Sequence, residues 1–137
     1  MAQKVTIGSQ HADESGVITY INDFDVSIVK RIYFIENRDA EFIRGWQGHK
    51  IEQRWFTVVR GSFLIKLIKI DDWIAPSTTL EQECFTLSPE NLLTLHIPQG
   101  FVTSIQSLEE NSKLMVLADY FSGEIQDDFR FAVDYFK

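Results

Sequence analysis

Short runs of β-branched and aromatic residues, separated by glycine, proline, asparagine and aspartate, recur along most of this chain. Runs of this kind are typical of strands, and the residues between them are typical of turns. The predicted strands are residues 17–21, 28–35, 54–59, 63–70, 84–87, 92–97, 104–108 and 113–119. Several are apolar on both faces, so one face can line a barrel and the other can cover a second sheet or a partner chain. The pattern therefore predicts an all-β, antiparallel sandwich or barrel.

The two ends of the chain have different patterns. Polar side chains dominate residues 9–15, and residues 1–16 are interpreted as a loop or an arm at an interface. Near the other end, four apolar residues follow the i, i+3, i+4, i+7 spacing of a helix face. These are Phe129, Ala132, Val133 and Phe136. They predict a short C-terminal helix over residues 124–136, within a single domain that spans residues 1–137.

Composition narrows the possible functions. The chain has 137 residues, 45% of them apolar, with a formal net charge of -7 and a pI of about 4.9. General nucleic-acid binding depends on Lys and Arg to neutralise phosphates, but a local pair of cations is enough to hold one phosphorylated ligand. The apolar stretches are too short to span a bilayer, and residues 1–10 lack the apolar core of a secretory signal. With Cys84 as the single cysteine, these features predict a cytoplasmic protein without a nucleic-acid or membrane partner.

Two segments match the spacing of the motifs that define cupin barrels. In cupins a glycine precedes His-x-His, a glutamate follows five residues later, and a glycine comes seven residues after that. Here the same register runs through Gln47, His49 and Arg54 to Gly61, and residues 98–103 match the second motif, Pro-x-Gly-x-x-His. The chain therefore resembles a cupin, which implies a double-stranded β-helix (jelly-roll) barrel.

The metal ligands of most cupins are replaced in this chain. The four ligand positions hold Gln47, His49, Arg54 and Thr103. Sites for zinc, iron or manganese need several converging imidazole, thiolate or carboxylate groups, and the cationic Arg54 would repel a divalent ion. The residues therefore predict no metal and no other cofactor.

Metal-free cupins that act on 4-keto nucleotide sugars resemble this chain more closely. Residues 43–50 are similar to the Arg-Gly-x-His-Ala-His-Lys motif of the WxcM-like dTDP-4-keto-6-deoxyhexose 3,4-ketoisomerases. Residues 30–34 resemble the strand before that motif, and residues 114–120 and 127–136 resemble the family's closing segments. The related dTDP-4-dehydrorhamnose 3,5-epimerases share the Arg-Gly opening and the barrel. Ketoisomerases have two histidines where this chain has Gln47 and His49, whereas the epimerases place their base at the position of Gln47.

The resemblance implies an isomerase of deoxysugar and cell-surface polysaccharide biosynthesis. His49 would remove the C3 proton of the 4-keto sugar, because imidazole titrates near neutral pH. Tyr33 would protonate or stabilise the enediolate oxygen. Arg44 and Lys50 would hold the diphosphate, and Trp46 or Trp55 would stack on the nucleotide base. Gln47 and Arg54 are further expected substrate contacts. The family also implies a homodimer in which N-terminal strands cross the interface.

These residues also have structural interpretations. His49 could be a buried, hydrogen-bonded barrel residue without chemistry, and the tryptophans could be packing residues. Arg54 could pair with Glu52, Glu81 or Glu83. His96 should point away from the face of its neighbours Leu95 and Ile97, towards the surface or rim. Three aspartates near the C-terminus could form a solvated helix face: Asp127, Asp128 and Asp134.

Two further functions compete with the ketoisomerase. One is a catalytically degenerate cupin that binds a nucleotide sugar or another small anion, and Gln47 and Thr103 favour it because both replace family histidines. The other is a 3,5-epimerase-like protein, which would have lost its base at Gln47. A single base on one face suffices to move a carbonyl, whereas inversion needs groups on opposite faces. The ketoisomerase is therefore the preferred hypothesis.

Overall fold

The structure is a computed structural model, and it describes residues 5–91, 93–120 and 126–137. Twelve strands and one 3-10 helix, Pro89–Asn91, lie within these ranges. In chain order the strands are β1 (Val5–Ile7), β2 (Ser9–Asp13), β3 (Gly16–Tyr20), β4 (Arg31–Ile35), β5 (Ile43–Gly48), β6 (Arg54–Arg60), β7 (Phe63–Lys69), β8 (Glu83–Leu87), β9 (Leu93–Ile97), β10 (Phe101–Ser107), β11 (Lys113–Ala118) and β12 (Phe129–Arg130).

The strands form two five-stranded antiparallel sheets and a separate hairpin. One sheet has the order β1-β9-β6-β11-β4, the other has the order β12-β5-β10-β7-β8, and β2 pairs only with β3. Strands that are distant in sequence are therefore neighbours in both sheets, as the chain crosses repeatedly from one sheet to the other. This arrangement confirms the predicted all-β antiparallel architecture.

The core lies between the two five-stranded sheets. Over most of β6 and β7 the side chains alternate between buried and half-buried, with Phe56, Phe63, Ile65 and Leu67 fully buried. These four pack in one cluster with inward-facing residues of β8, β9, β10 and β11. Each such side chain contributes about 1.5–3 kcal/mol relative to an exposed one. The alternation over most of these two strands therefore indicates which side chains point into the barrel.

At one end of the barrel the inward-facing positions become polar. Arg54 precedes Phe56 by two residues on β6, and Thr103 precedes Ile105 by two residues on β10, so both share the inner face. On β5, a register shift beside Thr103 places Gln47 opposite Thr103 and Arg44 opposite Ile105. The polar end of the barrel is therefore built from neighbouring strands of both sheets.

The predicted C-terminal helix is wrong for the described residues 126–137; residues 124–125 lie outside the described part of the chain. Phe129 and Arg130 form β12, which pairs with Gly48 and Gln47 of β5. The segment beyond β12 turns across the outer face of the same sheet, where Phe131 and Phe136 pack around Trp46. Of the residues that match a helical period, Phe136 is buried against Trp46 and Phe129 pairs in β12, whereas Ala132 and Val133 are exposed. These tertiary contacts override the local preference.

Strands also replace the predicted N-terminal loop over residues 9–13. β2 and β3 form a hairpin in which every residue is exposed, while β1 joins the edge of the first sheet through β9. The role of this segment as an interface arm stays a prediction. Among the described residues, no helix has the length and hydropathy needed to cross a membrane.

Candidate functional site

His49 follows the last residue of β5 and lies at the polar end of the barrel. Its side chain is 12% exposed, and Nδ1 lies 2.5 Å from the backbone carbonyl oxygen of Asp127. Because a carbonyl only accepts hydrogen bonds, Nδ1 carries the proton and donates it. The other ring nitrogen, Nε2, then holds the lone pair, and it lies 3.4 Å from Oε2 of Glu52. His49 is thus buried and hydrogen-bonded while keeping one basic nitrogen.

Asp127 binds the loop that follows His49. One carboxylate oxygen accepts the backbone N–H groups of Lys50 at 2.8 Å and Ile51 at 3.0 Å, and the other accepts that of Glu52 at 3.0 Å. Asp127 is buried, so its interpretation as part of a solvated helix face is wrong. Three consecutive N–H groups around one carboxylate form an anion nest that holds the loop in place.

Arg54 is buried at the centre of the polar end. It is 2% exposed, donates to Oγ1 of Thr103 over 3.3 Å, and lies over the ring of Phe56. Burial lowers the pKa of Arg54, while Tyr33, which also hydrogen-bonds to the guanidinium, and Glu52 raise it. Of the carboxyl partners considered for Arg54, Glu52 is therefore the one whose charge acts on it.

Tyr33 and Arg31 add an aromatic ring and a second cation from β4. Both lie on one face of that strand, and Cζ of Arg31 is 4.5 Å from the centre of the Tyr33 ring. Arg31, together with Arg54, opposes the effect of burial on the carboxyl of Glu52. The site therefore combines a phenol, two guanidinium groups, a carboxyl group and an imidazole.

Burial shifts the two titratable groups at the loop in opposite directions. The pKa of His49 is lowered from 6.5, mainly by burial and then by the charge of Arg54, while the carbonyl of Asp127 acts against the shift. The pKa of Glu52 is raised from 4.5, mainly by burial. Both shifts favour the neutral forms, so His49 is an uncharged imidazole at neutral pH.

Gln47 and Arg44 occupy the inner face of β5. Nε2 of Gln47 donates to Oδ1 of Asp128 over 3.0 Å, and Asp128 is exposed and also accepts from Arg130. Nε of Arg44 donates to Oδ1 of Asn37 over 3.2 Å. The position that holds the first histidine of the family motif thus carries an amide that is bonded to a carboxylate.

Of the remaining predicted contacts, Trp46 and Trp55 lie away from the polar end, whereas Lys50 belongs to the loop that follows His49. Trp46 is 4% exposed, donates its Nε1–H to the carbonyl of Val133 over 3.2 Å, and packs edge-to-face on Phe136. Trp55 stacks on His96 on the outer face of the other sheet, which confirms that His96 points away from Leu95 and Ile97. Lys50 is exposed, with Nζ 4.9 Å from the centre of the Phe129 ring.

The donor set at the four cupin ligand positions does not suit a divalent metal. Arg54 brings a positive charge and already donates to Thr103, and Gln47 is bonded to Asp128. No cluster of three or more histidine, cysteine or acidic side chains in the described ranges could hold a metal ion. A mononuclear site would need several such groups to converge.

Sequence comparison identifies the family. The profile of the WxcM-like, C-terminal family (FdtA) matches residues 3–133. The chain belongs to this family. Among curated protein sequences, none matches it.

Solved structures agree with the WxcM-like assignment. The 3,4-ketoisomerase QdtA from Thermoanaerobacterium thermosaccharolyticum, as a histidine-to-asparagine mutant in complex with TDP-4-keto-6-deoxyglucose, is 27% identical, with a TM-score of 0.71 over 98% of this chain and 93% of that chain. A double mutant of QdtA in complex with TDP is 26% identical, with a TM-score of 0.71 over 99% and 94% of the two chains.

A more distant structure shows the fold alone. The dTDP-4-dehydrorhamnose 3,5-epimerase from Bacillus anthracis, with TDP and PPi bound, is 17% identical, with a TM-score of 0.72 over 90% of this chain and 75% of that chain. The double-stranded β-helix expected from the motif spacing is thereby confirmed.

Sequence reasoning missed several residues of the polar end. The sequence indicates Glu52 only as a partner of Arg54 and Arg31 only as part of a similar strand. It indicates Asp127 only as part of a similar closing segment or as a surface residue. The position of Arg31, two residues before Tyr33, could have placed it on the same face of β4. Asp127 gives no such signal, because its contacts lie 75 to 78 residues away along the chain.

Proposed function

We propose that this chain is a 3,4-ketoisomerase of nucleotide-diphospho-4-keto sugars that works without a metal and uses His49 as its base. The observation that carries the proposal is the geometry of His49: its ring is mostly enclosed, and Nδ1 is bonded to a backbone carbonyl, which leaves Nε2 as the basic nitrogen. Burial also lowers the pKa of His49, which favours the neutral form. A general base needs an unprotonated nitrogen at working pH and a fixed orientation.

Family membership supports the same class of reaction. The chain belongs to the WxcM-like family, and at 26–27% identity it aligns with nearly the whole of QdtA, whose structures hold TDP or a TDP-4-keto sugar. These likenesses support a sugar-nucleotide isomerase or epimerase, and the arrangement of the site favours the isomerase.

The proposed reaction is a balanced proton transfer. Nε2 of His49 takes the C3 proton, the electron pair of that bond forms a C3=C4 double bond, and the C4 carbonyl becomes an enolate oxygen. Tyr33 and the cations at the polar end stabilise this oxygen. The proton of the C3 hydroxyl passes to the C4 oxygen, the imidazolium returns its proton to C4, and the carbonyl forms at C3, so substrate and product are isomers.

Gln47 supports isomerisation rather than epimerisation. An amide cannot accept a proton from carbon, and Gln47 is also bonded to Asp128. The position at which the 3,5-epimerases carry their base therefore holds no base here. One base on one face is enough to move a carbonyl between adjacent carbons, whereas inversion needs groups on opposite faces.

Substrate contacts are proposed for the inner-face residues of the polar end. Arg44 and Gln47 lie on β5 beside the loop of His49, and Arg54 supplies a buried positive charge. Lys50 is exposed next to this loop and would reach a diphosphate as a flexible point charge. Trp46 is enclosed by its own contacts, which supports a packing role.

Assembly as a cytoplasmic homodimer is also proposed. On β4, Ile32 and Phe34 are 55% and 50% exposed, and Val17 and Ile18 of the hairpin are 61% and 63% exposed. Apolar surface of this kind is typical of surfaces that associate with a partner chain. Light scattering of the purified protein would test the dimer.

A binding protein without catalysis is the second candidate. Two features of the site favour it: Gln47 replaces a family histidine and is bonded to Asp128, and Nε2 of His49 already faces the carboxyl of Glu52. This candidate predicts that a 4-keto nucleotide sugar binds and is not deprotonated.

Hydrogen exchange at C3 distinguishes the two candidates. The protein is incubated with dTDP-4-keto-6-deoxyglucose in deuterated buffer, and loss of the C3 proton is followed by proton NMR. We expect exchange with the wild type and a loss of about 10²- to 10⁴-fold with His49→Ala, the usual range for a general base. His96→Gln, a histidine on the outer face of the first sheet, serves as the matched control and should retain exchange.

The other outcomes are equally informative. Calorimetric binding of the sugar nucleotide without exchange would support the binding protein. Exchange that survives His49→Ala would overturn the role of His49 as the base. Absence of both binding and exchange would contradict both candidates.

A further inference from the structure

Asp127 contacts the His49 loop through both its side chain and its backbone. Its carboxylate accepts three consecutive N–H groups, from Lys50, Ile51 and Glu52. Its carbonyl accepts the Nδ1–H of His49. A residue near the C-terminus of the chain thus holds both the imidazole and the three residues that follow it.

The backbone around these contacts is itself held in register. β12 pairs Phe129 with Gly48 and Arg130 with Gln47, which brings the preceding residues of the same segment alongside the end of β5. The carbonyl of His49 accepts the N–H of Gly100 over 2.8 Å, so the residue is also held by the turn that precedes β10. The ring orientation of His49 is therefore determined by groups on two other segments of the chain.

The choice of tautomer has a chemical consequence. In a neutral imidazole, one nitrogen carries the proton and the other is the base, and the hydrogen bond made by one nitrogen decides the role of the other. A carbonyl at Nδ1 selects the Nδ1–H form. If this contact were lost, the Nε2–H form would place a proton on the nitrogen that faces Glu52, and that nitrogen could then not remove a proton from the substrate.

We propose that Asp127 is the positioning residue of this site. Its carboxylate holds residue 127 against the loop, and its carbonyl thereby holds His49 in the Nδ1–H tautomer, with Nε2 unprotonated. The catalytic consequence rests on the proposed function, whereas the tautomer does not. The carboxylate is central because an asparagine at this position would offer one acceptor oxygen and turn an N–H donor towards the N–H groups of the loop.

The experiment measures the tautomer directly. In wild-type protein labelled with nitrogen-15 on histidine, the couplings from the ring protons report which nitrogen of His49 is protonated, with His49→Gln used for assignment. We expect Nδ1–H for the wild type. For Asp127→Asn we expect a mixture with the Nε2–H form and a C3 exchange rate lowered by about 10- to 100-fold, the range for a displaced catalytic group. Asp134→Asn, an exposed aspartate of the same segment, is the matched control and should change neither.

Each failure has a distinct meaning. A wild-type Nε2–H tautomer would overturn the proposal without any variant, even if Asp127→Asn failed to fold. An unchanged tautomer in a folded Asp127→Asn would overturn it too. If the wild type shows the Nδ1–H form and Asp127→Asn loses it while neither exchanges C3, the proposed function fails and the positioning role of Asp127 stands.

Discussion

Replacing Gly48 with alanine would test the close approach of β5 to β10 directly beside His49. A Cβ at Gly48 would lie 2.6 Å from Cγ1 and 2.8 Å from Cα of Val102, and closer still to the carbonyl oxygen of Phe101. Two of these three atoms belong to the backbone of β10, so rotating a side chain cannot relieve the contact. Gly48 is not among the described glycines with a positive φ, so the effect would be steric.

The expected loss of stability in Gly48→Ala follows from the need to separate two paired strands. Gly48 is paired with Val102 on one side and with Phe129 on the other. Overpacking of this kind costs about 1–3 kcal/mol, and the restricted unfolded chain offsets about 0.4–1 kcal/mol of that cost. A net loss of about 1–2 kcal/mol would lower Tm by roughly 3–10 °C in a domain of this size.

The assay is thermal unfolding followed by circular dichroism, with Gly45→Ala as the matched control. Gly45 lies on the same strand, and a Cβ there would lie 3.3 Å from Cβ of Val133, an exposed residue that can move. We expect the control to stay within about 1 kcal/mol of the wild type. Equal Tm values for the two variants would refute the reasoning, because the close packing of β5 on β10 would then be absent. C3 exchange should also slow in Gly48→Ala, because His49 is the next residue.

Two further predictions concern Glu52 and Trp46. The pKa of Glu52 is raised from 4.5 by burial, so from pH 4.5 up to its folded pKa the folded state binds more protons than the unfolded state, and stability falls as pH rises. Urea unfolding of Glu52→Gln should therefore match the wild type near pH 4.5 and become the more stable protein as pH rises; parallel curves would contradict the upward shift of the Glu52 pKa. Trp46→Phe removes the donor to the carbonyl of Val133. Its free energy of unfolding, measured by chemical denaturation, should fall by about 1 kcal/mol, and its C3 exchange should be unchanged. A selective loss of nucleotide-sugar affinity would instead place Trp46 in the substrate site.

The alternation of apolar and polar residues was enough to predict most of the barrel. On β6, β7 and β11, residues two apart share a face, so the local sequence is enough to predict which side chains are buried. The motif spacing likewise predicted that four positions would face each other. In the structure Thr103 lies opposite Gln47 and accepts a hydrogen bond from Arg54. β5 was missed, because its arginine, glycines and glutamine interrupt the apolar pattern that identifies a strand.

The C-terminal segment was decided by tertiary structure alone. Its aromatic residues Phe129 and Phe136 fit a helical period. In the structure the segment instead forms a short strand followed by turns, and it packs around Trp46 on the outer face of the second sheet. Asp127 acquires its role in the same way, since the loop it binds lies 75 to 78 residues earlier in the chain. A local pattern reports only on neighbours that share a strand or a helix. Strands, barrel and candidate base could therefore be predicted from the sequence, whereas the groups that hold and tune that base depend on contacts made only when the chain folds.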